Sequence, residues 1–117
     1  MKRPEQTIQR AVFDHFALRG TPNTFAFHPF NGGRRSPIEA AIYAKLGVRP
    51  GVPDVIAIRD GHAFALELKA ERGRLSQSQV ETMRLLEQAG AHVAVATGID
   101  AAIQQLERWE LLKGTAQ

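Results

Sequence analysis

The feature that most constrains the fold is the dipeptide Asp60-Gly61, which joins two strand-like segments. Residues 54–59 read Asp-Val-Ile-Ala-Ile-Arg, and residues 62–69 read His-Ala-Phe-Ala-Leu-Glu-Leu-Lys. Asp-Gly is among the strongest two-residue signals for a β-hairpin when apolar segments flank it. The sequence therefore predicts an antiparallel hairpin, and the two-residue turn places Asp54 opposite Glu67.

The second segment has the alternation of a strand with one buried face. Phe64, Leu66 and Leu68 point to one face, and Glu67 and Lys69 point to the other. The apolar face is predicted to join the core. The opposite face then carries two carboxylates, one from each strand, and a lysine close to both.

Two facing carboxylates in an apolar hairpin repel each other unless something offsets their charge. A hard divalent cation does so, because it binds carboxylate oxygens. The cation can activate water for phosphate hydrolysis, and Lys69 can orient the nucleophile or neutralise developing charge. The alternative is a surface hairpin with a solvated Glu67–Lys69 pair, which stabilises little. A bulge near Asp54 would also change the pairing.

The rest of the chain alternates helix-like and strand-like segments. Turn residues such as Gly20, the Ser36-Pro37 helix start and Gly90 mark the boundaries. The order indicates a single small α/β domain, residues 1–117, with a mixed central sheet flanked by helices. The predicted helices are 5–19, 36–47, 76–90 and 99–108; the predicted strands are 24–28, 54–59, 62–69 and a buried strand at 91–97; residues 109–113 form a last strand or a helical turn.

Composition excludes several classes of protein. The chain has no cysteine, which excludes disulfide scaffolds, cysteine zinc sites and thiol catalysis. It has no apolar run of membrane-spanning length and no apolar secretory core, so we expect no membrane partner and a cytoplasmic location, in a bacterium or a phage-infected host. It has no phosphate-loop motif, so no nucleotide cofactor is expected.

The charge distribution favours a nucleic-acid partner. The net charge is +3, and residues 34–74 contain eight basic side chains against five acidic ones. Two of those acids, Asp54 and Glu67, are assigned above to a cation. The basic side chains therefore dominate what remains of this segment.

Several motifs together resemble the PD-(D/E)XK nuclease superfamily, and more specifically the virus-type replication-repair nuclease (VRR-NUC) family in its stand-alone, phage-like form. The central ones are Gly51-Val52-Pro53-Asp54 and Glu67-Leu68-Lys69. The resemblance covers roughly residues 5–97 and includes the segments 30–34, 47–51 and 73–79.

The resemblance implies a restriction-endonuclease-like core that hydrolyses DNA phosphodiesters with Mg²⁺ or Mn²⁺. It implies homodimers that act on branched DNA in repair, replication or recombination. It also implies a set of site residues. The metal ligands are Asp54, Glu67, the Leu68 carbonyl and Glu5, the catalytic lysine is Lys69, and the glutamine at the start of the following helix is Gln79.

Two of these residues also have structural explanations. Glu5 lies in the first turn of a helix, where an acid interacts favourably with the helix dipole. Gln79 follows Ser76 at capping-box spacing, and a capping side chain can also face a site. His28 ends the first predicted strand, either as a histidine at the rim or as a neighbour of the site.

The candidate DNA contacts lie in two loops. Asn31, Arg34 and Arg35 belong to a glycine-containing loop in which the backbone can approach a phosphate and arginines can pair with its oxygens. Arg72 and Arg74 follow the catalytic strand and suit contacts with the DNA backbone. Simple turns and solvated loops are the structural alternatives.

The expected activity is that of an endonuclease for branched DNA, specifically a four-way (Holliday) junction resolvase. One chain makes one active site, and a two-fold dimer would make the two symmetric cuts that a junction requires. The helix at 36–47 could supply a dimer face or part of the core. Three alternatives remain: a flap, nick or duplex nuclease of the same fold, a non-catalytic DNA-binding accessory module, and an unrelated α/β interaction domain.

Overall fold

The structure, a computed structural model, describes residues 3–30 and 35–114. Helices and strands alternate along these residues much as the sequence predicts. Their bounds are α1 Arg3–Arg19, β1 Thr24–Phe27, α2 Pro37–Lys45, β2 Val55–Arg59, β3 His62–Lys69, α3 Gln77–Gln88, β4 His92–Thr97 and α4 Ile99–Arg108. No helix among the described residues is long and apolar enough to cross a membrane.

The strands form a mixed sheet in the order β1-β2-β3-β4. The first three strands pair antiparallel, and β4 runs parallel to β3. The predicted hairpin register is confirmed, because Ala57 pairs with Phe64 and Val55 pairs with Leu66. Asp60 and Gly61 both have positive φ, 48° and 83°, as a type I′ turn requires.

The hydrophobic core lies between one face of the sheet and the helices α1 and α4. It contains Val12 of α1, Leu106 of α4 and the predicted apolar residues of β3, including Leu66 and Leu68. These side chains are almost fully buried, which confirms the predicted core face. The opposite face of β3 therefore presents Glu67 and Lys69 away from this core.

One expectation about burial is wrong. Strand β4 was expected to be buried, but it is an edge strand in which only Ala96 is buried and Val95 is 43% exposed. The predicted helix α2 begins at its Ser36 cap, with a capping box, yet it contains no buried residue. Its apolar side chains therefore do not belong to the core of this chain.

The segment that leads into β2 is attached tightly to α3. A Cβ on Gly51, which has φ +78°, would lie 2.3 Å from the carbonyl oxygen of Ser78 and 2.7 Å from the Gln79 nitrogen. The Thr82 hydroxyl donates a hydrogen bond of 2.8 Å to the Pro50 carbonyl. This close approach places the start of α3 beside the start of β2.

We expect Gly51→Ala to destabilise the protein considerably more than Gly61→Ala. Both glycines have positive φ, so both substitutions carry the same backbone penalty. Only Gly51 is crowded, because a Cβ on Gly61 would meet nothing within 4 Å. The additional cost at Gly51 should be about 1–3 kcal/mol, measured by urea unfolding. Equal costs would show that the loop moves away from α3 freely.

Candidate active site

Asp54 lies at the point where the ladder between β2 and β3 stops. The last pair is Val55 with Leu66, and the next hydrogen-bonded position would join Pro53 to Leu68. Proline has no N–H, so this position offers no ladder donor to the Leu68 carbonyl. The Leu68 N–H instead donates to Oδ2 of Asp54 at 2.9 Å. The hairpin thus ends with the Asp54 carboxylate hydrogen-bonded to the main chain of Leu68.

Glu67 lies next to Asp54 on the side of the sheet away from the core, and its side chain is only 2% exposed. The Nζ atom of Lys69 lies 3.6 Å from Oε2 of Glu67, and Lys69 is itself buried. The other oxygen, Oε1, is buried without a hydrogen-bond partner among the described residues. The structure therefore brings Asp54, Glu67 and Lys69 together and rules out the solvated Glu67–Lys69 pair.

Gln79 connects Glu67 to the start of α3. Its Nε2 donates to Oε2 of Glu67 at 2.9 Å. Its Oε1 accepts from the Ser76 N–H at 2.8 Å, and its own N–H donates to the Ser76 hydroxyl, which completes the predicted capping box. One side chain thus caps the helix and orients the buried carboxylate.

The electrostatics of the pair depend on burial and on mutual repulsion. Burial, followed by the charge of Asp54, raises the pKa of Glu67 to about 8, against the favourable effect of Lys69. Burial also raises the pKa of Asp54, which the Leu68 hydrogen bond and the nearby His28 lower in part. Without a cation, the two acids cannot both ionise easily near neutral pH. This result agrees with the sequence argument that facing carboxylates require compensation.

The raised pKa of Glu67 predicts a stability profile for the protein without cations. Folded Glu67 holds its proton up to pH about 8, whereas the unfolded residue loses it near 4.5. The contribution of Glu67 to stability should therefore be largest below pH 4.5, fall between these values by a few kcal/mol, and change little above pH 8. Glu67→Gln should flatten this fall. Urea unfolding in EDTA from pH 4 to pH 9 measures both proteins, and parallel profiles would contradict the prediction.

The donor set suits a hard divalent cation with few protein ligands. Within residues 3–30 and 35–114, no three acidic, histidine or cysteine side chains gather as a metal site. Two carboxylates remain, and Oε1 of Glu67 is buried without a hydrogen-bond partner among the described residues. Mg²⁺ fits such a set, because it is commonly bound through one or two carboxylates while it keeps several waters.

Glu5 lies beyond this pair. Its Oε2 is 3.4 Å from the Ala70 nitrogen, a long contact just after β3. Its charge also contributes to the raised pKa of Asp54, so it is near the site. The described geometry does not bring it into a three-carboxylate cluster with Asp54 and Glu67.

Sequence reasoning left the role of His28 open, and the structure places it beside Asp54. Its Nδ1 lies 2.7 Å from the Asp54 carbonyl oxygen, and its ring is half-buried. The sequence signal that could have identified this contact is the histidine–proline pair at the end of β1. The proline interrupts the β1–β2 ladder opposite Asp54.

The candidate DNA contacts are only partly described. Asn31 and Arg34 lie outside the described residues. Arg35 lies just before α2, and its guanidinium is 4.3 Å from the centre of the Tyr43 ring. Arg72 and Arg74 are exposed in the loop after β3, close in sequence to Lys69.

Comparison with known proteins agrees with this geometry. The family model described as the VRR-NUC domain matches residues 3–100. Two solved structures, described as "VRR_NUC domain protein" and "VRR_NUC domain", align with TM-scores of 0.70 and 0.62 at 23% and 18% identity. The alignments cover 97% and 91% of this chain and 96% and 97% of theirs. Among curated proteins, no sequence matches significantly.

A more distant solved structure shares the fold. It is Archaeoglobus fulgidus Hjc, a Holliday junction resolvase from an archaeal hyperthermophile. It aligns with a TM-score of 0.50 at 21% identity, over 80% of this chain and 67% of that one. The mixed sheet with flanking helices is thus a restriction-endonuclease-like core, as expected from the sequence.

Proposed function

The chain belongs to the VRR-NUC domain family, a family of nucleases, and on that premise we propose that it is a Mg²⁺- or Mn²⁺-dependent endonuclease for branched DNA. The observation that carries the proposal is the cluster of Asp54, Glu67 and Lys69 on one face of the sheet. Glu67 and Lys69 are buried there and Asp54 is half-buried, and burying charged groups destabilises the folded state. A cation and a phosphate provide the compensating charges.

Asp54, Glu67 and the Leu68 carbonyl would hold the cation. When bound, it would supply a water of lowered pKa and positive charge for the phosphate oxygens. Gln79 keeps Glu67 oriented toward the site through its 2.9 Å hydrogen bond. Glu5 would contribute its negative charge to the site from the edge, where that charge already raises the pKa of Asp54.

Lys69 would stabilise the negative charge that develops on the phosphate during phosphodiester hydrolysis. Its Nζ atom lies 3.6 Å from Oε2 of Glu67, and its side chain is 10% exposed. A donor fixed in such a site stabilises developing negative charge without reorganising. The same group can orient the attacking water.

The basic loops would hold the DNA backbone beside this cluster. Arg72 and Arg74 follow the catalytic strand and are exposed, as phosphate contacts require. Arg35, with Asn31 and Arg34, would contact a second stretch of backbone. Such contacts position DNA without reading its sequence, which suits recognition of a branched shape.

Helix α2 supports a homodimer. Ile38 and Ile42 of this helix and its C-cap residue Leu46 are 75%, 54% and 72% exposed, so the core of this chain does not account for them. A cluster of large apolar side chains that is exposed on one chain commonly marks an interaction surface. A second copy would cover it and provide the second active site that a four-way junction resolvase uses for symmetric cuts.

Cleavage of a labelled DNA panel tests the proposal. The panel contains a four-way junction, a flap, a splayed arm, a nicked duplex, a plain duplex and a single strand, each with Mg²⁺, Mn²⁺ or EDTA. Paired symmetric junction cuts that EDTA abolishes, from a protein that light scattering shows to be dimeric, would support the resolvase. Cuts confined to flaps, nicks or duplex would support the alternative nuclease.

Two further outcomes would reject the enzyme. Salt-sensitive DNA binding without any cleavage would indicate an accessory module. Absence of both binding and cleavage would indicate an interaction domain unrelated to DNA.

A further inference from the structure

The ladder between β1 and β2 is also interrupted by a proline at the site. Val55 and Ala57 are hydrogen-bonded to β3, so the alternate β2 residues face β1. The pair Phe27–Ile56 is the last of the β1–β2 ladder, and the next hydrogen-bonded position joins Pro29 to Asp54. Proline cannot donate the N–H that the Asp54 carbonyl would accept there.

The His28 side chain fills this gap. Its Nδ1 lies 2.7 Å from the Asp54 carbonyl oxygen. A carbonyl can only accept, so Nδ1 carries the hydrogen and donates it. The imidazole thus replaces the main-chain donor that Pro29 lacks, at the residue that the proposed cation site depends on most.

We propose that His28 is a positioning residue that acts on the cation site through Asp54. The Asp54 backbone is held by the His28 imidazole, and its carboxylate is held by the Leu68 N–H at 2.9 Å. Without the first bond, Asp54 lies beyond the last pairs of both ladders and its backbone can turn. The carboxylate would then lose its alignment with Glu67. The link to a cation rests on the proposed function; the hydrogen bond itself does not.

Three substitutions separate the two ring nitrogens. In His28→Asn, the amide nitrogen occupies the δ position and keeps a donor for the Asp54 carbonyl. In His28→Gln, the amide nitrogen occupies the ε position, and His28→Leu has no donor. We expect the half-saturating Mg²⁺ concentration to stay within about three-fold of wild type for Asn and to rise about 10–100-fold for Gln and Leu.

The readout is thermal stabilisation by Mg²⁺ without DNA, so it does not depend on cleavage. Retention of the wild-type Mg²⁺ response by all three variants would overturn the proposal. Rescue by Gln but not Asn would also overturn it, because Nε2 would then be the working atom. Since Asn and Gln differ by one methylene, their comparison holds even if the Leu variant folds poorly.

Nitrogen NMR of the histidines tests the hydrogen bond independently. Wild-type His28, identified by its absence in His28→Asn, should be the Nδ1–H tautomer in the neutral ring. The Nε2–H tautomer would overturn the proposal. If Mg²⁺ does not stabilise even the wild type, both the proposed cation site and the role of His28 are rejected. If Mg²⁺ stabilises the wild type and all three variants equally, only the role of His28 is rejected.

Discussion

Lys69→Met is expected to lower DNA cleavage by about 10²–10³-fold while the protein still gains thermal stability from Mg²⁺. The lysine is proposed to assist at the phosphate and is not a cation ligand. Methionine keeps the unbranched apolar stem of lysine as far as the ε position but removes the charge that lies 3.6 Å from Glu67. Loss of this positive neighbour removes its repulsion of the bound cation, so Mg²⁺ binding should be retained or strengthened.

The matched control is Lys113→Met, which makes the same substitution at an exposed lysine. Cleavage by this variant should equal that of the wild type. If Lys69→Met cuts at the wild-type rate, the lysine has no catalytic role. If it loses Mg²⁺ stabilisation together with activity, the lysine organises the cation site instead.

Asp54→Asn should show a different pattern, with both cleavage and Mg²⁺ stabilisation lost. We expect cleavage to fall at least 10²–10³-fold, because the proposed cation loses one of its two carboxylates. Stability without cations should rise at neutral pH or stay the same, since the charge of Asp54 is among the causes that raise the pKa of Glu67. The asparagine oxygen can still accept from the Leu68 N–H.

Urea unfolding in EDTA and thermal melts with Mg²⁺ measure these two effects separately. A variant that is less active and merely less stable would point to a folding defect, not to a lost ligand. Retention of Mg²⁺ stabilisation in Asp54→Asn would remove Asp54 from the cation site. The opposite Mg²⁺ responses of Asp54→Asn and Lys69→Met therefore distinguish their proposed roles.

The hairpin and its register were predictable because their determinants are local. Asp60-Gly61 sets a two-residue turn, and the alternation of Leu66, Glu67 and Leu68 sets the faces. Both are visible within sixteen residues, 54–69, of sequence. The proximity of Asp54 to Glu67 follows from them without knowledge of the rest of the fold.

Contacts between distant segments could not be predicted in the same way. The histidine–proline pair at residues 28 and 29 marks the end of β1. The hydrogen bond from His28 to Asp54 also depends on how β1 aligns with β2, and the pair alone does not set that alignment. The exposure of β4 depends on its place at the sheet edge, although its apolar composition suggested burial. Helix α2 shows the same limit, since its apolar sequence does not reveal whether this chain or another molecule covers it.

Gln79 makes the first turn of α3 and the orientation of Glu67 a single cooperative unit. Its amide donates to the carboxylate while its oxygen and backbone complete the cap with Ser76. Local unfolding of that turn would release Glu67 in the same event, so the arrangement is either fully formed or lost. Hydrogen exchange at the Ser76 and Gln79 amides would therefore report, from the end of a helix, how often the site is assembled.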